Sequence, residues 1–482
     1  MKVNTWDLDK VRPASIDAKG WRIMLHPSEV KGLWFKRRKI VHNLLIAVFL
    51  LLPWLKIHGQ QALLLNVGDR QFNFFGLNLR AHNAPLMFFV LAIVGFGLFF
   101  LTSVYGRAWC GWACPQTVFI ESVFRRVERW IEGPATVRRA KEKAPMTPKI
   151  VATKTFKWFV FTVLALVLTH SFLAYFVGTD RLFQMITSSP EKNWASFLFV
   201  GFSTAIILFD FGWFREQFCI VACPYGRFQS VLMDSKSLIV GYDEKRGEPR
   251  RGVAADEKSQ GDCVNCYRCV QVCPTGIDIR RGVQMECIAC TACIDACDDV
   301  MAKTNRPSGL IRYTSLDELA KPKDAPIERV AKLRLNGRNG VYLAVVAASA
   351  LALAFFISRY EDLDIQIFRG QGLPYQAVDG GVNLLNQFYV ETTNTSSVDV
   401  AVSVEPIQVE TDVAKHVQLV TSQQPFNVRA GRTERIGFFL KFPADSSLSL
   451  VQLKFTSLVN SKPFVTVKDV HLVRPIAKFS GH

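Results

Sequence analysis

The first 109 residues and the last 185 contain no cysteine; all twelve lie between Cys110 and Cys297. That gap excludes a disulfide framework from both ends of the chain. No Cys-x-x-Cys-His occurs, which excludes covalent c-type haem by that motif. No P-loop and no Gly-x-Gly-x-x-Gly fingerprint occur, so nucleotide or flavin binding by those loops is unsupported. Acids are scarce as well: 41 Asp and Glu stand against 58 Lys and Arg, a formal charge of +17. The excess lies beside apolar runs and on no nucleic-acid module, so no nucleic-acid partner is expected.

What is present is apolar. Hydrophobic residues make up 49% of the 482. Apolar membrane segments alternating with basic loops reconcile that fraction with the charge. Five runs approach the length of about 20 apolar residues that a bilayer requires. They are 40–56, 85–105, 157–178, 194–213 and 341–358, the first interrupted by Pro53. The first run starts too late for a cleavable signal peptide, and none is expected. Residues 1–39 hold ten Lys and Arg against four acids, and 106–156 hold ten against four. Positive-inside reasoning puts 1–39, 106–156 and 214–340 in the cytoplasm. Five crossings then export 359–482.

The expected organisation is therefore a multi-domain membrane protein. Residues 1–39 form a cytoplasmic segment. Residues 40–213 carry four transmembrane helices with a basic cytoplasmic loop. Residues 214–340 are cytoplasmic, 341–358 form a fifth transmembrane helix, and 359–482 form a periplasmic domain.

Residues 263–274 read CVNCYRCVQVCP, and 287–297 repeat the spacing as CIACTACIDAC. Cys-x2-Cys-x2-Cys-x3-Cys is the bacterial two-cluster ferredoxin pattern, in which the fourth cysteine of each run serves the other [4Fe–4S] cluster. The spacing assigns Cys263, Cys266, Cys269 and Cys297 to one cluster. It assigns Cys287, Cys290, Cys293 and Cys273 to the other, in a module spanning about 255–305. Asp298 stands where the second run would carry proline. A zinc site prefers two Cys-x-x-Cys pairs and four ligands, which eight cysteines in two equal runs fit poorly. The basic stretch Lys245–Arg251 ahead of the module reads as a solvated linker or lipid-facing patch.

Four cysteines remain, in Cys110-Gly-Trp-Ala-Cys114-Pro115 and Cys219-Ile-Val-Ala-Cys223-Pro224. Each Cys-x-x-x-Cys-Pro follows an apolar run, and both reach the same face. Residues i and i+4 of a helix stand about 5–6 Å apart at Cβ, so two such thiols can share a metal or close on each other. Proline disfavours helix in the residue before it and suits the first position of the next one. The spanning helix should end at or before Cys114 and Cys223. After Pro115, Val118, Phe119, Val123, Val127, Trp130 and Ile131 mark an amphipathic helix on the membrane surface. Soft thiolates suit Cu(I), zinc or iron–sulfur clusters. Buried apolar packing and a redox dithiol remain open readings of the same four residues.

Tandem membrane Cys-x-x-x-Cys-Pro motifs, a two-cluster ferredoxin segment, a last span and an exported β domain together resemble the CcoG/FixG/RdxA family of cytochrome c oxidase accessory proteins. The resemblance covers nearly the whole chain. It implies two [4Fe–4S] clusters as electron carriers. It also implies copper bound at Cys110, Cys114, Cys219 and Cys223, with Cu(II) reduced to Cu(I) during assembly of the cbb-type oxidase. The implied activity is that of a cupric reductase. The implied partners are the membrane and oxidase subunits or copper-assembly factors; the electron donor and homodimerisation stay open. A quinol-dehydrogenase-type membrane ferredoxin and a non-enzymatic scaffold or copper chaperone are the competing readings.

Residues 359–482 alternate as in Val398–Val404 and Val451–Phe455, with turn-formers at Ala430-Gly431, Pro443–Asp445 and Ser461–Pro463. Short strands of this kind predict a β-sandwich, and the family's domain there is Ig-like. Among intramembrane polar residues, His170 is expected to pack through a hydrogen bond, and Asp210 to mark a boundary or a functional group. His42, at the start of the first run, is expected as a boundary residue, with copper ligation as the alternative.

Overall fold

The computed structural model describes residues 22–57, 59–68, 71–80, 84–252, 260–322, 337–358, 363–394, 396, 398–407, 417–446, 449–459 and 462–475. Most of the N-terminal segment, the first residues of the expected ferredoxin module and the stretch before the last apolar run lie outside them. The chain forms two compact units. The first comprises Met1–Leu55 and Pro85–Leu353, the second Lys56–Ala84 and Ala354–His482.

The first unit is helical. Its elements include α1 (Leu33–Leu51), α2 (Ala84–Tyr105), α3 (Ala108–Trp112), α4 (Pro115–Phe119), α5 (Arg125–Glu132) and α6 (Ala135–Lys143). They continue with α7 (Pro148–Val177), α8 (Trp194–Ile207), α9 (Pro224–Leu232), α10 (Ala292–Lys303) and α11 (Gly337–Ser358). Among the described residues, four segments are long and apolar enough to cross a membrane: Leu86–Tyr105, Pro148–Val177, Pro190–Phe214 and Gly337–Ser358. These correspond to four of the five expected runs. The first run falls in α1, which begins seven residues earlier and carries Lys36, Arg37, Arg38 and Lys39 in its opening turns. Asp295 of α10 accepts from the backbone N–H of Trp34 (3.2 Å) and Phe35 (2.7 Å). This carboxylate complements the positive end of α1.

The ferredoxin-type segment is closed off by Ile239–Tyr242 pairing antiparallel with Ile311–Thr314. Val240, Ile277, Ile279, Ile294, Met301 and Leu310 form its apolar core beside Cys263 and Cys269. In the stretch Lys245–Arg251, Lys245 and Arg251 are exposed, as a solvated linker requires, yet side chains here also make specific contacts. Lys245 Nζ donates to Ala320 O (2.7 Å) and Lys321 O (2.6 Å), and Arg246 pairs with Asp262. The cations are held here because loop carbonyls and a carboxylate lie within their reach.

The second unit contains two antiparallel sheets sharing one apolar core. One sheet runs Gln418–Thr421, Thr433–Pro443, Asn383–Asn394, Leu363–Arg369, with Gln376–Val378 also on Asn383–Asn394. The other runs Phe426–Val428, Val400–Pro406, Leu450–Val459, Lys462–His471. Burial alternates along Asn383–Asn394, as the two-residue period of a strand requires. Val390, Val402, Phe426, Phe438, Leu440 and Phe455 fill the space between the sheets. Residues 56–80, between the first two apolar runs, form two small sheets within this unit.

Candidate metal centres

The two Cys-x-x-x-Cys-Pro segments are built alike. After α2 the chain turns at Gly106 (φ 55°), where a Cβ would lie 2.2 Å from Leu238 O. Only glycine tolerates both the conformation and that approach. Cys110 then sits in α3. Cys114 is extended (φ −62°, ψ 125°), and Pro115 opens α4. Cys223 repeats this (φ −72°, ψ 112°) ahead of Pro224 and α9. Cys114 N donates to Trp109 O (2.9 Å) and Cys223 N to Phe218 O (2.8 Å), a five-residue closure in both copies. The proline rule thus locates both helix ends, and the spanning helices stop even earlier. Cys219 lies in the wide-turned segment Phe218–Ala222, so the second copy departs from the ideal helical spacing.

The four thiols lie near enough for the charge of one to act on the next. Burial pushes Cys110 up to about 12, with Cys114 and then Cys223 adding to the shift against Arg107 and Gln229. Burial also raises Cys219, followed by the charges of Cys114, Cys110 and Cys223. Cys114 is raised by burial, and the N–H groups of Gln116 and Thr117 draw it back down. Cys110 Sγ donates to Gln229 Oε1 at 3.4 Å. All four are free thiols.

This group abuts the ferredoxin-type segment. A Cβ at Gly111, inside the first motif, would stand 2.4 Å from Ile288 O and 2.9 Å from Cys290 Cα. The absence of a side chain at Gly111 lets the motif's backbone lie against the Cys287–Cys290 run. Cys110 packs on the cluster of Ile288, Cys290 and Ala292. Arg107 bridges the parts, donating to Cys287 O (3.3 Å) and Gly226 O (2.9 Å). Trp112 Nε1 donates to Tyr313 Oη (3.0 Å), whose hydroxyl donates to Ala289 O (3.1 Å).

His42 is buried. One ring nitrogen meets Ser122 Oγ at 2.8 Å and the other Gly111 O at 3.2 Å, so both are engaged within the protein. His170 Nδ1 lies 2.7 Å from Leu166 O, in line with packing. Asp210 accepts from Gln116 Nε2 at 2.8 Å, which ties the approach to the second motif to the first.

Charges of neighbouring cysteines act on several of the eight ferredoxin-type thiols. Burial raises Cys297 to about 12, and Cys269, Asp298, Cys263 and Cys266 raise it further. Burial raises Cys293, with Cys290, Cys287 and Cys273 foremost among the charges that add to it. Burial takes Cys287 to about 12 against the N–H of Ala289, with Cys273 and Cys290 contributing. The backbone around both runs fits cubane clusters. Asn265 and Tyr267 have φ of 55°, and Ala289 and Thr291, at the same places in the second run, have φ of 52° and 66°. Four non-glycine residues in the left-handed region are costly. Alternating conformations of this kind turn successive N–H groups inward to make concavities for anions and iron–sulfur sites. Among the described residues no three His, Cys, Asp or Glu converge on a single ion. Thiolates of a cubane each bind a different iron at a different corner, so they stand further apart than ligands of one ion.

Beneath the motifs lies an ionic core. Arg215, 1% exposed, grips Glu128 with both guanidinium nitrogens (2.9 and 3.1 Å). Arg138 adds a contact at 2.9 Å and Lys157 one at 3.6 Å. Arg125 and Arg22 each reach Glu216 at 3.1 Å. Burial alone would raise the Glu128 carboxyl; Arg215, Lys157 and Arg138 outweigh it and hold the group at about 2. α5 contributes three charged side chains to this core. Arg125, Glu128 and Glu132 point inward, while Trp130 is 77% exposed. The buried charges find partners inside, Val127 packs against the apolar cluster of Phe119, Phe124 and Phe161, and Trp130 faces outward.

Arg107, Gln116, Arg215 and Glu128 were not singled out as site residues by the sequence reading. Arg107 is one of the ten cations of 106–156. Its position three residues before Cys110 was the available signal; the others had none, because their partners are distant in sequence.

The molecule so built has membrane-length apolar helices and an iron–sulfur-type electron-transfer segment. The family profile described as "4Fe-4S dicluster domain" matches residues 214–316. The profile described as "4Fe-4S binding domain" matches 86–134. The chain is 36% identical to Protein RdxA of Cereibacter sphaeroides over 315 residues, covering 63% of this chain and 66% of RdxA. It is 36% identical to Nitrogen fixation protein FixG of Rhizobium meliloti over 308 residues, covering 62% and 58%. It is 32% identical to Protein RdxB of Cereibacter sphaeroides over 405 residues, covering 79% and 83%. The matches with RdxA and FixG thus span less than two thirds of those proteins. The crystal structure of a FixG-related protein from Vibrio parahaemolyticus aligns with 24% of this chain and all of that one, at 11% identity and a TM-score of 0.20, which carries no argument about the fold. The protein is a membrane-associated 4Fe–4S electron-transfer protein. It belongs to the FixG/RdxA family.

Proposed function

We propose that this chain reduces Cu(II) to Cu(I) for assembly of a cbb-type cytochrome c oxidase. The observation that carries the reading is the seating of Gly111, inside the first Cys-x-x-x-Cys-Pro, against the backbone at Ile288 and Cys290. It brings the candidate copper thiols beside the candidate cluster ligands. Cys263, Cys266, Cys269 and Cys297 hold one [4Fe–4S] cluster, and Cys287, Cys290, Cys293 and Cys273 the other. When bound, the clusters supply electrons one at a time. Cys110, Cys114, Cys219 and Cys223 take the copper substrate, and their soft sulfurs favour the Cu(I) product. Each Cu(II) accepts one electron, which a cellular donor replaces. Arg107 and Gln116 hold the two motifs in register.

We assign the N-terminus and the cluster segment to the cytoplasmic side and an Ig-like domain at 359–482 to the periplasm. The distribution of Lys and Arg supports this. So does the grouping of 56–84 with the C-terminal sheets in one unit, since both belong outside in this topology. α1 is then the remaining crossing. Oxidase subunits or copper-assembly factors are the partners of that domain.

The test replaces Cys110, Cys114, Cys219 and Cys223 with Ser while the other eight cysteines stay. Copper binding and Cu(II) reduction by the pre-reduced protein should both be lost. Retention of both at full level sinks the copper-thiol reading. A second reading is favoured by the 4Fe–4S binding description over 86–134, which includes Cys110 and Cys114. In it, the four thiols hold a further cluster. Iron analysis of the same variant separates the two, since one cluster's worth of iron disappears only under the second.

A further inference from the structure

A cavity of about 260 Å³ opens between α1, α5 and the ferredoxin-type segment. Six cations line it: Arg38, Lys39, Arg125, Arg126, Arg129 and Arg138. Only two acids do, Glu29 and Glu121. Several of the cations have partners already. Arg125 pairs with Glu121 and Glu216, Arg138 with Glu128, and Arg38 NH1 donates to Cys290 O at 2.7 Å. Yet Arg125 and Arg138 are both more than nine-tenths buried, and their Nε–H groups make no hydrogen bond among the described residues. A buried donor without an acceptor is costly, and more so on a charged group. Arg126 is pushed below the usual arginine range by burial and then by Arg129, so neighbouring cations repel across the opening.

We propose that this cavity binds a phosphate-bearing anion. Guanidinium groups present paired donors that match phosphate oxygens, and a negative charge relieves both the unpartnered donors and the repulsion. The surroundings suit a phosphate at a bilayer surface. Trp130 on α5 and Ile40 and Leu44 on α1 are exposed apolar side chains on the two helices that wall the cavity. Basic pockets between helices at a membrane face take acidic lipid headgroups. A headgroup phosphate and free inorganic phosphate share this chemistry.

The experiment uses the full chain in detergent micelles at low salt. Binding of phosphatidylglycerol, of phosphatidylcholine and of inorganic phosphate is measured by native mass spectrometry and calorimetry. The double variant Arg126→Gln/Arg129→Gln removes two rim cations and leaves the buried ion pairs alone. Lys454→Gln/Lys468→Gln removes the same charge from the β-sheet unit as a control. Phosphatidylglycerol binding that weakens about tenfold or more in the rim variant and not in the control supports the site, as expected for loss of charge-assisted hydrogen bonds. Binding of phosphatidylglycerol without phosphate identifies a lipid headgroup; comparable binding of phosphate identifies a free oxyanion site. Binding of neither overturns the proposal. So does equal weakening in rim variant and control, or equal retention of phosphatidylcholine and phosphatidylglycerol.

Discussion

The two units of this chain are held together by different means. The β-sheet unit follows the common rule: Phe426, Phe438, Leu440 and Phe455 are buried between two sheets, and its charges stay largely outside. The helical unit places charge inside. Arg215, Glu128, Arg138, Arg125 and Glu216 are all buried, while Trp130, Phe202 and Val231 face outward. In a molecule with membrane-length helices, the apolar solvent is outside, and ion pairs are protected within. The difference shows where the chemistry sits. Every cysteine and every tryptophan belongs to the unit with the ionic core, and none to the β-sheet unit.

That partition makes the comparison breakable. Tryptophan fluorescence reports the helical unit alone. The largest effect should come from Glu128→Gln, which leaves Arg215 and Arg138 buried without their anion. Removing one partner of a buried pair costs about 3–5 kcal/mol. The tryptophan-monitored unfolding midpoint should fall sharply, with the β-sheet circular dichroism transition unmoved. A fluorescence midpoint within error of the parent protein would mean the ionic core does not hold this unit. Next is Leu440→Ala in the β-sheet unit, expected to cost about 2–5 kcal/mol through lost burial and a residual cavity. Here the circular dichroism transition should shift while fluorescence does not. A matching fluorescence shift would show the units unfold as one.

Much of the arrangement was legible in the sequence because it is written locally. Cys-x2-Cys-x2-Cys-x3-Cys is contained within eleven residues, and proline after Cys114 and Cys223 announces its own conformational rule. Alternation across Val398–Val404 gives a strand for the same reason. What stayed hidden depends on partners far along the chain. Glu128 and Arg215 are 87 positions apart, and His42 and Gly111 are 69. The helical period of α5 was read correctly, but periodicity cannot say which face turns inward. The partners of Arg125, Glu128 and Glu132, namely Glu216, Arg215 and Lys157, come from other elements.

The smallest effect sharpens the comparison through pH. His26 sits at the edge of the ionic core, with Arg138 NH1 3.4 Å from Nδ1 and Glu142 Oε2 3.2 Å from Nε2. Burial lowers it to about 4, with Glu128 opposing the shift and Arg138, Arg215 and Arg125 reinforcing it. The unfolded chain, with histidine near 6.5, therefore takes up a proton before the folded one does. Stability must fall as pH drops from about 6.5 toward 4 and level off below, because only in that window does the unfolded state bind more protons. His26→Gln removes this contribution. Between pH 7.5 and pH 5, its fluorescence midpoint should decline less than that of the parent protein at matched cluster absorbance. The β-sheet transition should decline equally in both. An identical decline of the fluorescence midpoint in both proteins would show that His26 already carries its proton in the folded unit, and that Glu142 and Glu128 outweigh its burial.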